Sequence, residues 1–124
     1  MINWSKSFRS HLKESDIQIY LVLCWEYLNV HNFKGQMKKR PSFEIVTDGP
    51  FKGAYKADIK NGRVINSCIV IHKNSLSLNE KWFKDVLLHE MAHQYCFEVL
   101  KKPHRKHTKI WKKVCKDCGA KSCD

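Results

Sequence analysis

Nowhere in its 124 residues does the chain hold the run of about 20 apolar residues that a membrane-spanning helix needs, so no transmembrane segment is expected. Residues 1–13 carry Trp4, Phe8 and Leu12 among polar and basic side chains but no continuous apolar stretch, so no signal peptide is visible. The chain is therefore expected to stay, unsecreted, in the compartment that makes it, where thiols are reduced, and its six cysteines are not read as a disulfide framework. Cys24, Cys68 and Cys96 fall within apolar patterns and are expected as small core residues. Cys115-x-x-Cys118 and Cys123 have no fourth cysteine or histidine after them, so reduced surface thiols at a frayed end are expected there, without a complete structural metal site. Internal repeats, low-complexity tracts and a second domain are missing too, and residues 1–124 read as one domain able to bury about two thirds of its unfolded surface. Acidic residues are scarce: 12 Asp and Glu against 23 Lys and Arg leave a formal charge of +11, which points to a polyanionic partner, nucleic acid first.

Ser15-Asp16-Ile17-Gln18 has the form of a capping box, and Ile17, Tyr20, Leu21, Cys24, Trp25 and Leu28 follow at three- and four-residue steps. This predicts an amphipathic helix ending within residues 32–35. Residues 34–41 form a basic connector with Lys34, Lys38, Lys39 and Arg40. A short strand is expected over residues 43–47. Residues 53–59 and 63–72 flank Asn61-Gly62, the dipeptide that favours a type I′ turn, and predict an antiparallel hairpin. Its second arm holds the continuous apolar run Cys68-Ile69-Val70-Ile71, suited to a strand covered on both faces, while Lys56 and Asp58 alternate with Tyr55 and Ala57 on the first arm, suited to an edge. A last helix is expected to bury Ile110, Trp111 and Val114.

Between these lies His89-Glu90-Met91-Ala92-His93, an H-E-x-x-H motif among Phe83, Val86, Leu87, Met91, Tyr95 and Val99 at helical spacing, with Ser77-Leu78-Asn79-Glu80 as a capping box before it. Residues four apart share one helix face, so the imidazoles of His89 and His93 can converge on one ion. Glu90, one step round, can face the open coordination position and serve as general base for a water activated there. Two histidines and a carboxylate beside an apolar stripe need a compensating partner, and one zinc ion is the expected one. A catalytic zinc usually has three protein ligands. A metzincin would place glycine at position 96 and histidine at 99, where this chain has Cys96 and Val99, and no glutamate follows Glu98 for a thermolysin-like site. His104 and His107 both remain as candidates, on a turn beside the basic residues Lys101, Lys102, Arg105 and Lys106.

H-E-x-x-H, about a dozen residues, then H-x-x-x-W resembles the SprT-like (Spartan-type) family of zinc metalloproteases, which includes a DNA-dependent protease. The resemblance extends to Asn29-x-x-x-Phe33-x-Gly35, to Gly53-Ala54 and to Cys68-Ile69-Val70-Ile71 through Leu76, covering about residues 15–115. It implies His107 as third ligand, with Trp111 as the aromatic four residues on. Thr108 stands where the family usually has glycine.

The expected fold is α+β, a minimal zincin-like domain with an N-terminal helix, a small three-stranded mixed sheet, the H-E-x-x-H helix and a C-terminal ligand-bearing helix. The expected activity is zinc-dependent endopeptidase, with His89, His93 and His107 on the metal and Glu90 as base. Tyr55, His72 and His104 are open candidates for stabilising the oxyanion. A protein or peptide substrate is expected to add as a strand along residues 53–59. The resemblance implies action on proteins bound or crosslinked to DNA, with single-stranded or junction DNA as partner. Lys38, Lys39, Arg40, Lys101, Lys102 and Arg105 are the candidate phosphate contacts, and a cytoplasmic or DNA-associated monomer without membrane contact is expected. The alternatives are a nucleic-acid-binding or regulatory protein with a non-catalytic metal, which would have no use for Glu90, and a metal-dependent nuclease, suggested by the charge alone.

Overall fold

The computed structural model describes residues 1–104 and 107–124. In chain order come α1 (Lys6–Ser10), α2 (Glu14–Phe33), β1 (Ser42–Val46), β2 (Gly53–Lys60), β3 (Arg63–His72), a 3-10 turn (Lys73–Ser77), α3 (Glu80–Glu98) and α4 (Lys109–Asp117). The class is α+β. The sheet has the order β1-β3-β2, with β1 parallel and β2 antiparallel to the central strand.

The strand assignments follow the chemistry of the side chains. Ile69, Val70 and Ile71 are all buried, and since successive residues face opposite sides, β3 is covered on both faces there. β2, with its alternating charges, is an edge. The hairpin turns at Asn61 and Gly62, both with positive φ (53° and 76°), as a type I′ turn requires.

On α2 the expected stripe from Ile17 to Leu28 is buried. The helix closes at Lys34 and Gly35, both left-handed, with the Gly35 N–H on the Asn29 carbonyl at 2.8 Å. Asn29 then clasps Met37 reciprocally, its Nδ2 donating to the Met37 carbonyl at 2.9 Å and its Oδ1 accepting the Met37 N–H at 3.2 Å. These two devices account for Asn29 and Gly35 in the Asn-x-x-x-Phe-x-Gly pattern. Gln94 of α3, fully buried, accepts from Trp25 Nε1 at 2.9 Å and donates to the Lys39 carbonyl at 3.1 Å, which locks α3 against α2 and the basic connector.

Several local expectations are corrected. α2 begins before Ser15: Leu12 packs against the core, so Lys13 takes the cap position without a side-chain bond, while Glu14 and Asp16 face the positive helix start. Ser77 does not cap α3, because buried Leu76 and the Ser75 hydroxyl, donating to the Lys52 carbonyl at 2.9 Å, draw residues 73–77 into the 3-10 turn. Asn79 caps instead, accepting from the Trp82 N–H at 3.1 Å. α1 had no counterpart in the sequence reading; it buries Arg9, whose Nη1 donates to the Leu76 carbonyl at 2.7 Å while the guanidinium lies 4.3 Å from the Phe83 ring centre. Cys24 and Cys96 are core residues, but Cys68 is only half-buried, and Ile110 is exposed. Cys115, Cys118 and Cys123 are not surface thiols at a frayed end: all three are buried, and Cys115 and Cys123 form a disulfide. Among the described residues, no helix is long and apolar enough to cross a membrane.

Candidate metal centre

α3 is buried through much of its length by Phe83, Val86, Leu87, Leu88 and Met91, and this fixes its rotation. His89 and His93 consequently face one open side in successive turns, with ring centres 5.3 Å apart. The chain leaves α3 through Lys101, left-handed at φ 56°, which sets the Lys102 N–H on the Cys96 carbonyl at 2.9 Å and turns the backbone towards the histidines. His107 arrives from the far end of this connection, 4.9 Å from His89 and 5.1 Å from His93 between ring centres. One ligand atom from each of the three lies within 4.8 Å of the others. Trp111 backs the triad, stacked on His107 at 3.8 Å and on His93 at 4.8 Å. Thr108, at the position where glycine is usual in the family, caps α4 by accepting from the Trp111 N–H at 3.2 Å, and its φ of −70° has no need of glycine.

Hydrogen bonds orient each ring. His89 Nδ1 donates to the Ser122 carbonyl at 3.0 Å, and His107 Nδ1 donates to the Asp124 main-chain oxygen at 3.1 Å. His104 Nδ1 lies 3.2 Å from the Lys102 carbonyl, which can only accept, so His104 Nε2 is the free acceptor and receives the proton of His93 Nδ1 at 2.7 Å. Every triad ring therefore has its Nδ1 engaged and its Nε2 left for an ion, the arrangement by which ligand tautomers are set. His104 stands behind His93 in this chain of bonds, while His107 belongs to the triad.

The donor set suits a metal. Burial, reinforced by the other three histidines, lowers His93 to about 3, and burial also lowers His89, so both rings are neutral and able to ligate at neutral pH. Three imidazoles with one side open match a catalytic zinc site and suit zinc, copper, iron or nickel better than a hard oxygen-seeking ion. Glu90 borders the same cleft and is buried, which raises its carboxyl to about 8. Among the described residues no cation offsets that desolvation, and a metal beside Glu90 would.

Gly53, at the start of β2, makes this geometry possible. A Cβ there would lie 3.0 Å from Val86 Cγ1 and 3.3 Å from Glu90 Cγ, so the edge strand's close approach to Glu90 leaves little room for a side chain at this position. Two clefts, of about 580 and 570 Å³, meet at Gly53, His89 and Glu90. One continues past Tyr55, Phe97 and His104, the other past Leu78, Trp82 and Val86.

Of the oxyanion candidates, Tyr55 and His104 line the first cleft, whereas His72 faces a separate pocket and caps the 3-10 turn by accepting from the Asn74 N–H at 3.1 Å. The Tyr55 hydroxyl donates to Glu98 at 3.0 Å, and burial raises both its phenol and the Glu98 carboxyl. Lys38, Lys39 and Arg40 are exposed; Lys39 Nζ reaches the Ile65 carbonyl at 2.9 Å, and Arg40 meets Glu26 at 3.3 Å in a solvated pair of little strength. Lys101 and Lys102 are exposed just before His104, and Arg105, with its neighbour Lys106, lies outside the described residues. The sequence reading missed Glu98, Asp85 and the main-chain oxygens of Ser122 and Asp124. Glu98 and Asp85 sit at helical spacing from the motif, which was the available signal; main-chain groups carry none.

The SprT-like family profile matches residues 24–123, a span that takes in α3, the whole triad and Trp111. No curated protein and no solved structure matches the chain. With four-fifths of its length inside that match, the chain belongs to the SprT-like family, a group associated with metalloprotease function.

Proposed function

We propose that this chain is a minimal zincin-like, zinc-dependent endopeptidase that cleaves proteins associated with DNA. The observation that carries the catalytic part is the buried Glu90 carboxyl beside three converging imidazoles, at the meeting point of two open clefts and against an edge strand. A purely structural metal would gain nothing from a base held there.

Zinc held by His89, His93 and His107 would supply Lewis-acid polarisation of the scissile carbonyl and acidification of a water. Glu90, raised towards neutrality by burial, is suited to take that water's proton and to deliver it to the departing amine. The β2 edge offers unpaired main-chain groups to an extended polypeptide, which would pair with it and run along both clefts past the triad. Recognition of this kind depends on backbone and tolerates varied side chains. Tyr55 can donate to a developing oxyanion on releasing Glu98, and the His104 pair keeps His93 oriented meanwhile.

The nucleic-acid part rests on the charge of +11 and on two basic clusters, one at Lys34, Lys38, Lys39 and Arg40, the other from Lys101 onward beside the third ligand. Phosphates docking on the second cluster would bind beside His107 and so couple DNA occupancy to the metal site. Cleavage of an unstructured protein, measured with single-stranded DNA, with duplex DNA, without DNA and with chelator, tests both parts. Metal-dependent cleavage stimulated by DNA is expected; nuclease activity without proteolysis would overturn the assignment.

A further inference from the structure

We infer that Asp85 is a positioning residue of the metal centre, holding the segment 121–122 so that the Ser122 carbonyl fixes the orientation of His89. The inference rests on the triad holding a metal, as proposed above.

Asp85 lies one turn before His89 on the same side of α3. It is buried, and among the described residues it makes no ion pair. A carboxylate in that position is costly unless it is hydrogen-bonded, and its Oδ1 accepts two main-chain donors, the Lys121 N–H and, at 3.3 Å, the Ser122 N–H. Ser122, held through its N–H, presents its carbonyl in the following peptide unit, and that carbonyl accepts from His89 Nδ1 at 3.0 Å, so residues 121 and 122 bridge two successive turns of α3. Without this carbonyl the His89 ring could flip or exchange tautomers, and its Nε2 would no longer be reserved for an ion.

The same segment is held from the other side by α4, the helix that follows His107. The Ala120 N–H donates to the Cys115 carbonyl at 3.1 Å, Ala120 and Cys123 are buried, and Cys123 is bonded to Cys115. Two residues on, the Asp124 main-chain oxygen accepts from His107. Residues 122–124 thus reach two of the three ligands, His89 from Ser122 and His107 from Asp124, and Asp85 anchors this stretch on α3. The proposed proton transfers make no use of Asp85, which leaves this holding role as its contribution to the site.

The test uses zinc affinity, measured by competition with a chromogenic chelator, together with the His89 tautomer read from long-range proton–nitrogen correlation spectra of the metal-free protein in mildly alkaline buffer. In the native protein His89 should carry its proton on Nδ1. Asp85→Ala should weaken zinc binding roughly 10- to 100-fold, the usual effect of losing a partner behind a metal ligand, and should erase the Nδ1–H preference. Asp85→Asn keeps an oxygen that accepts the two N–H groups and should recover most of the affinity. Native-like affinity in Asp85→Ala, or an Asp85→Asn variant as weak as Asp85→Ala, would overturn the inference. So would Nε2–H at His89 in the native protein, a reading that needs no variant to fold. Failure of the native protein to bind zinc at all would instead overturn the metal reading beneath it.

Discussion

Replacing Glu90 with glutamine should stabilise the metal-free protein, and increasingly so as the pH rises. Burial lifts the Glu90 carboxyl from an ordinary 4.5 to about 8, so between those values the folded state holds a proton that the unfolded state has lost. The folded state is the better proton binder in that window, and its stability therefore falls with rising pH until the buried carboxyl itself ionises. At about 1.4 kcal/mol per pH unit the full loss is roughly 5 kcal/mol, an upper figure because water entering the cleft relieves part of it. That is a large share of the 5 to 15 kcal/mol typical of a domain's stability. His93 works in the opposite sense: lowered to about 3, it makes stability rise with pH up to its ordinary 6.5, but it does so in both proteins and cancels from the difference. Urea unfolding of chelator-treated wild type and Glu90→Gln, from about pH 5 to pH 9, isolates the carboxyl. The variant's advantage should grow by several kcal/mol across the window and then level off. An advantage that stays flat with pH would refute the desolvation of Glu90, and with it the reason this carboxyl is tuned to act as a base near neutrality.

Three further outcomes are expected. His107→Ala should lose most bound zinc, whereas His104→Ala should still take up one equivalent at an affinity lowered about tenfold, since His104 only orients His93; metal analysis after dialysis reads both, and the reverse order would move the third ligand to His104. Gly53→Ala should cost roughly 1 to 3 kcal/mol in thermal or urea unfolding and lower kcat by displacing Glu90, because the added methyl meets Val86 and the Val70 carbonyl at 3.0 and 3.2 Å; native kcat would show that the strand gives way instead. Neutralising Lys101, Lys102 and Arg105 together should flatten the salt dependence of DNA binding, about 0.9 per duplex phosphate and 0.7 on a single strand, and reduce the DNA-stimulated rate more than the basal one, whereas equal loss of both rates would assign the cluster to the fold.

What the sequence disclosed and what it hid divide along physical lines. The convergence of His89 and His93 is local, a matter of four residues on one helix, and it could be read directly. The central β3 and the edge β2 were also legible, because an apolar run and an alternation of charge report burial on two faces or one. Caps were less so. Ser15 and Ser77 have the right form, yet where the chain enters a helix is decided by how Leu12 and Leu76 are anchored in the core, and that is tertiary. α1, at five residues, is too short to show a period, and its buried Arg9 reads in sequence as one more surface charge. The proposed third ligand lay between these extremes: spacing left His104 and His107 equally open, and only the family resemblance separated them. The contact between Asp85 and residues 121–122 spans 36 positions and ends on main-chain atoms, so no side-chain pattern could announce it.

The most direct measurement of the central claim pairs zinc content with cleavage of an unstructured protein for wild type and Glu90→Gln. Both proteins should hold one zinc per chain, and only the wild type should cleave, the variant falling by at least about 10² to 10⁴ in rate, the usual contribution of a general base. A Glu90→Gln variant that cleaves at the native rate, or a native protein that binds no zinc, would contradict the account.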